Sequence, residues 1–141
     1  GREGERIRLE TDKGGPSRTI DLLVSPGGPR GLGGAGTVHH IAYRTPDDSN
    51  QLEWQQKLMS AGYHVSPVMD RNYFHSIYYR EGGGILFEIA TDPPGFLVDE
   101  SLDSLGTALR LPSEYESMRE RIEAVLPAIT VPTAGTLTES Y

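Results

Sequence analysis

Residues 37–92 switch between two hydrophobic periods in a fixed order, and that order constrains the fold more than any other feature. TVHHIAYRT (37–45) is rich in β-branched and aromatic residues and reads as a strand. PDDSN follows, with Asp48 or Ser49 as the expected N-cap. QLEWQQKLMSA (51–61) has helical spacing, with Leu52, Leu58 and Met59 toward a core and Gly62 as the stop signal. YHVSPVMD (63–70) reads as a short strand, at a sheet edge because Pro67 cannot donate to a ladder. YFHSIYYRE (73–81) and ILFEIATD (85–92) are two further strands around a GGG turn. The order is thus β-α-β-β-β, an α+β arrangement in which one curved mixed sheet carries a helix.

The flanks differ. In ERIRLETD (5–12), Ile7 and Leu9 point one way and Arg6, Arg8 and Glu10 the other, as in a half-buried strand. KGGPS is a turn, and RTIDLLV (18–24) reads as its partner strand, so the pair is expected to form a hairpin. SPGGPRGLGGAG (25–36) carries no helix or strand signal and is the best internal boundary. Its glycines read as flexibility, because a phosphate cradle needs a strand before it and a helix after it. Downstream, DPPGFLVDESLDSLG is turn-rich, and SEYESMRERIEAV (113–125) reads as an amphipathic helix with Tyr115, Met118, Ile122 and Val125 on one stripe. Ser113 and Glu116 have capping-box spacing. The expected divisions are 1–30, 31–98, a helical segment 99–127 and a flexible tail 128–141.

Composition excludes several functions. The net charge of −7 over 141 residues argues against a nucleic-acid surface, which needs clustered Lys and Arg. There is no cysteine, so disulfides, zinc–cysteine sites and thiol nucleophiles are ruled out. No apolar run approaches the ~20 residues of a membrane helix, and no basic segment followed by an apolar stretch suggests a signal peptide. A cytoplasmic setting is expected. The chain opens on Gly1 rather than Met and reads as a piece of something longer.

Two features stand out against this background. His39 and His40 open the first strand, and strand alternation would send them to opposite sides, His39 with Ile41 and Tyr43, His40 with Ala42 and Arg44. Glu88 sits among Ile85, Leu86, Phe87 and Ile89, where a carboxylate is costly unless it is paired or on a metal. Each alone has a bland reading, a satisfied structural histidine or a solvent-facing glutamate. Together, on the first and last strands of one unit, an imidazole and a carboxylate can meet on a concave face. They would be two-thirds of the facial triad that leaves positions open on non-haem Fe(II). Spacing by itself leaves both readings open.

TVHHIAYRT and LFEIATD on this element order resemble the vicinal oxygen chelate superfamily, the glyoxalase, bleomycin-resistance and extradiol-dioxygenase fold. GAGTVHHIAYRTPDD, VSPVMDRNYFHSIYYREGGGILFEIATDPPGF and DESLDSLGTALRLP resemble, more specifically, the C-terminal part of bacterial ring-cleaving dioxygenases of the hydroquinone type, over residues 34–127. The resemblance implies that 5–24 are the closing hairpin of a preceding module. It places the metal on His40, which is followed by a branched, a small and a large residue, and on Glu88. It implies supporting roles for His39 as acid/base or substrate orienter, Arg71 as a holder of an anionic oxygen and Tyr78 as a hydroxyl donor.

The activity implied is cleavage of a dihydroxylated ring, such as hydroquinone or catechol, by O2 with Fe(II), or Mn(II), as cofactor. In the relatives a further histidine comes from an N-terminal module. His64 and His75 are the spare histidines here, and His75 is the candidate replacement ligand. One such unit is half of a closed cup, so the expectation is either a fragment lacking its N-terminal half or a homodimer. Two alternatives share the fold: a non-catalytic binding module of the bleomycin-resistance kind, and a glyoxalase-type lyase or isomerase.

Overall fold

The computed structural model describes residues 1–29 and 32–128. The tail expected at 128–141 lies outside the described residues except for Ala128. The chain divides into two units, Gly1–Thr37 and Val38–Tyr141.

The first unit is a three-stranded antiparallel sheet of β1 (Arg2–Glu3), β2 (Arg6–Glu10) and β3 (Thr19–Leu23), in that order. The expected hairpin is β2–β3, with Ile7 opposite Leu22 and Leu9 opposite Ile20. Asp21 draws both Arg6 and Arg8 across the pair, and the Arg8 guanidinium holds its carboxyl well below the usual carboxylate range.

The second unit contains β4 (Ile41–Thr45), α1 (Asp48–Ser60), β5 (Met69–Asp70), β6 (Phe74–Arg80) and β7 (Leu86–Pro94). The sheet order is β4-β7-β6-β5, with β4 parallel to β7 and the other pairs antiparallel. This is the β-α-β-β-β order read from the sequence. The helix is the crossover that a parallel pair requires. The short β5 lies at the edge, as Pro67 suggested.

The helix differs from its sequence reading. Asp47, not Asp48 or Ser49, is the cap: its side chain accepts from the Asn50 N–H. Gly62, with φ of 90°, closes the other end in a left-handed conformation. Leu52 and Met59 are exposed, whereas Gln51 is 0% exposed. The helix meets the sheet through a polar residue because a β-bulge lies between Phe74 and Ser76. A bulge takes a peptide out of the ladder. Gln51 Nε2 supplies the missing donor, bonding His75 O and Ile89 O at 2.8 Å each. Apolar burial is concentrated at Ile77 and Ile89, which face each other across β6 and β7.

Beyond β7 the chain forms 3-10 turns at Phe96–Val98 and Leu102–Ser104. The helix expected at 113–125 is a 3-10 turn, Ser113–Met118, running into α2 (Arg119–Val125). The capping box does not form. Glu116 pairs instead with Arg119, and Ser113 makes no capping bond. Tyr115, Met118 and Val125 are exposed, so the apolar stripe is not buried among the described residues. No described helix is long and apolar enough to cross a membrane.

Candidate metal centre

Register fixes which side chains share the face opposite Ile77. Ala42 on β4 and Tyr78 on β6 both stand directly across from Glu88 on β7. Directly paired residues project to one side of a sheet, and so do residues two apart. Ser76 and Ala90, also paired, therefore extend the same face. Glu88 is 3% exposed. Burying a carboxylate at that depth is costly without partners, and it has two. Its Oε2 lies 2.8 Å from His40 Nε2, and its Oε1 accepts from Ser76 Oγ. A hydrogen bond at that distance places one shared proton between Nε2 and Oε2.

The histidines do not face opposite ways. β4 pairing begins at Ile41, so His39 and His40 lie ahead of the strand and escape its alternation. Their rings are perpendicular, with Nδ1 atoms 2.9 Å apart. His39 thus reaches the site through His40. Tyr78 stands edge-on to the His40 ring at 6.2 Å. The Arg71 guanidinium lies over the Tyr78 ring, 5.4 Å from its centroid, and donates to the Tyr78 hydroxyl at 3.4 Å. Contacts therefore run from His39 to His40, from His40 to Glu88 and Tyr78, and from Tyr78 to Arg71.

The donor set suits a divalent metal. An imidazole nitrogen and a buried carboxylate oxygen are already at contact distance, the N,O pairing that non-haem iron and manganese accept. Two ligands come together but not three, since no cluster of three His, Cys, Asp or Glu exists among the described residues.

His75 does not supply the third. Its Nδ1 lies 2.6 Å from Asp48 Oδ1 at the start of α1, so it serves the helix–sheet junction instead. The bond to Asp48 raises the His75 pKa above 6.5. A raised folded-state value means that the charged ring stabilises the fold. That contribution is complete below about 6.5 and is lost as pH rises through the folded-state value. Urea midpoints measured at pH 6 and pH 8 should fall with rising pH in the wild type, and Asp48→Asn should flatten the difference. An unchanged slope in Asp48→Asn would show that the pair contributes nothing.

Two residues that matter to the site escaped the sequence reading, Ser76 beside Glu88 and Gln51 behind the sheet. Ser76 was detectable, because it lies two positions before Tyr78 and so shares its face. Gln51 carried no signal, since its burial depends on a bulge that the sequence does not announce.

Residues 3–99 match the Glyoxalase/Bleomycin resistance protein/Dioxygenase superfamily. The chain is 54% identical over 123 residues to "Putative ring-cleaving dioxygenase MhqO" of Bacillus subtilis, covering 87% of this chain and 39% of that protein. It is 32% identical over 125 residues to the "Chlorohydroquinone/hydroquinone 1,2-dioxygenase" of Sphingobium indicum, covering 86% of this chain and 39% of that one. A crystal structure of a "putative dioxygenase" from Bacillus subtilis superposes with a TM-score of 0.86 at 52% identity, covering 94% of this chain and 42% of that one. The chain thus spans about two fifths of the length of the curated relatives it matches. The resemblance drawn from the HHIAY and LFEIATD segments is borne out at both levels, superfamily and ring-cleaving relatives. With its β-α-β-β-β sheet and its residues 3–99 matched, the chain belongs to the Glyoxalase/Bleomycin resistance protein/Dioxygenase superfamily.

Proposed function

We propose that this chain carries the imidazole-and-carboxylate part of the metal centre of a ring-cleaving dioxygenase acting on dihydroxylated aromatics such as hydroquinone or catechol. The observation that carries this reading is the buried Glu88 carboxylate facing His40 Nε2 on the open face, with Tyr78 and Arg71 in line beside it. The names of the ring-cleaving relatives support it.

His40 and Glu88 would hold Fe(II) or Mn(II), and the third ligand would come from another segment of a longer chain or from a second copy in a homodimer. The chemistry such a metal supplies is activation of O2 next to a bound dihydroxylated ring. The chain's own groups do the rest. The Arg71 guanidinium offers fixed donors to an anionic ring oxygen. The Tyr78 hydroxyl, already receiving from Arg71, has its own proton free to donate to a ring oxygen. His39, joined to His40 through Nδ1, can take or return a proton of the substrate. A cytoplasmic location belongs to this reading, and a chain without cysteine suits it.

The test is anaerobic Fe(II) titration followed by O2 uptake with hydroquinone and with catechol. Iron binding that His40→Ala abolishes is the expected result, with ring-dependent O2 uptake where a second copy supplies the third ligand. Iron affinity that His40→Ala leaves unchanged would sink the proposal.

A further inference from the structure

Ser76 is 0% exposed, and its hydroxyl bonds Glu88 Oε1. Ser76 pairs with Ala90 across the β6–β7 ladder, so Glu88 is its diagonal neighbour on the same face. The residue just before it is pinned at both of its backbone groups: Gln51 Nε2 donates to His75 O, and the His75 N–H donates to Thr91 Oγ1. The hydroxyl is therefore set in place by the bulge before any partner is considered. Alanine would fill this strand position without bringing a polar atom to be satisfied. Among the described residues, the one partner of the hydroxyl is the carboxylate.

We propose that Ser76 is the positioning residue of Glu88, holding Oε1 so that Oε2 alone is presented to His40 and to a metal held there. The metal part of this statement rests on the function proposed above; the placement of Glu88 does not. A glutamate side chain with one contact can turn about its last bond and offer either oxygen, or both. With Oε1 engaged by Ser76 and Oε2 at 2.8 Å from His40 Nε2, that freedom is removed. A metal held there would be offered one carboxylate oxygen, with Oε1 kept on Ser76. Groups that orient a metal ligand typically cost about 10–100-fold in metal affinity when removed.

The test uses the full chain and two readouts. In metal-free protein at constant pH, NMR follows the hydrogen-bonded His40 Nε2 proton. Anaerobic Fe(II) titration then gives the affinity. Ser76→Ala removes one atom from a strand and should fold. It is expected to move the Nε2 proton resonance toward its unbonded position and to weaken Fe(II) binding by about tenfold or more. Ser76→Thr, which keeps the hydroxyl, is expected to hold both near wild type. If Ser76→Ala changes neither, while His40→Ala abolishes iron binding, Ser76 does not position Glu88 and the metal reading survives. If the Nε2 proton moves as expected but the wild type binds no iron, the placement of Glu88 stands and the metal reading falls.

Discussion

The double variant Ser76→Ala/Glu88→Leu is expected to lose divalent-metal binding and to be more stable than the wild type. The carboxylate is 3% exposed and faces an imidazole that is 36% exposed. A buried carboxylate is weak support for a fold, because desolvation offsets most of the attraction to its partner. Apolar replacement is often neutral or stabilising, by about 1–4 kcal/mol. Glu88→Leu alone would strand the Ser76 hydroxyl, which costs about 1–3 kcal/mol when buried without a partner. Removing both clears the debt, and His40 can still turn to water. Metal affinity should fall by more than the roughly 100-fold upper range seen for supporting groups, since the proposal makes Glu88 a ligand itself. Urea unfolding and Fe(II) titration on the same samples check both halves. A double variant less stable than wild type would mean that the Glu88–His40 pair is structural, and would weaken the case for a metal there.

Gln51→Ala should be the most damaging single change away from the site, at about 3 kcal/mol in urea unfolding. Two backbone carbonyls, His75 O and Ile89 O, lose their buried donor, and a cavity opens under the helix. Gln51→Glu separates the causes. It keeps the volume but places a carboxylate against two carbonyl oxygens, so above pH 7 it should destabilise at least as much as alanine. If Gln51→Glu were tolerated, shape would matter here and the hydrogen bonds would not.

Element order was legible because each segment had a clean period. Strand alternation in FHSIYYR and the apolar run around Glu88 place β6 and β7 within a residue or two of their ends. The candidate site residues came from the family resemblance as much as from physics. Glu88 alone stood out on energetic grounds. His39 was misjudged because alternation applies only inside the ladder, and the ladder starts at Ile41. The α1 face was misread for a similar reason. Periodicity marks Leu52 and Met59, yet the bulge favours an amide over an aliphatic chain at the closest approach. The helix at 113–125 is α-helical only from Arg119, because no neighbour covers its stripe among the described residues and an unburied short helix gains little.

The way α1 is fastened has a consequence for how the protein can drift over generations. Two elements joined by interlocking hydrocarbon can slide or tilt as their side chains change size, since such contacts have no direction. An amide clamped on two carbonyl oxygens has one acceptable pose. A one-residue slip of α1 would carry Gln51 off both His75 O and Ile89 O at once. The outward side chains Leu52, Trp54 and Met59 are then free to vary with whatever the protein meets, while the axis of the helix stays where it is. Because the clamp sits on the peptide that leads into Ser76, geometry at the Glu88 carboxylate is insulated from change on the outer surface of the helix.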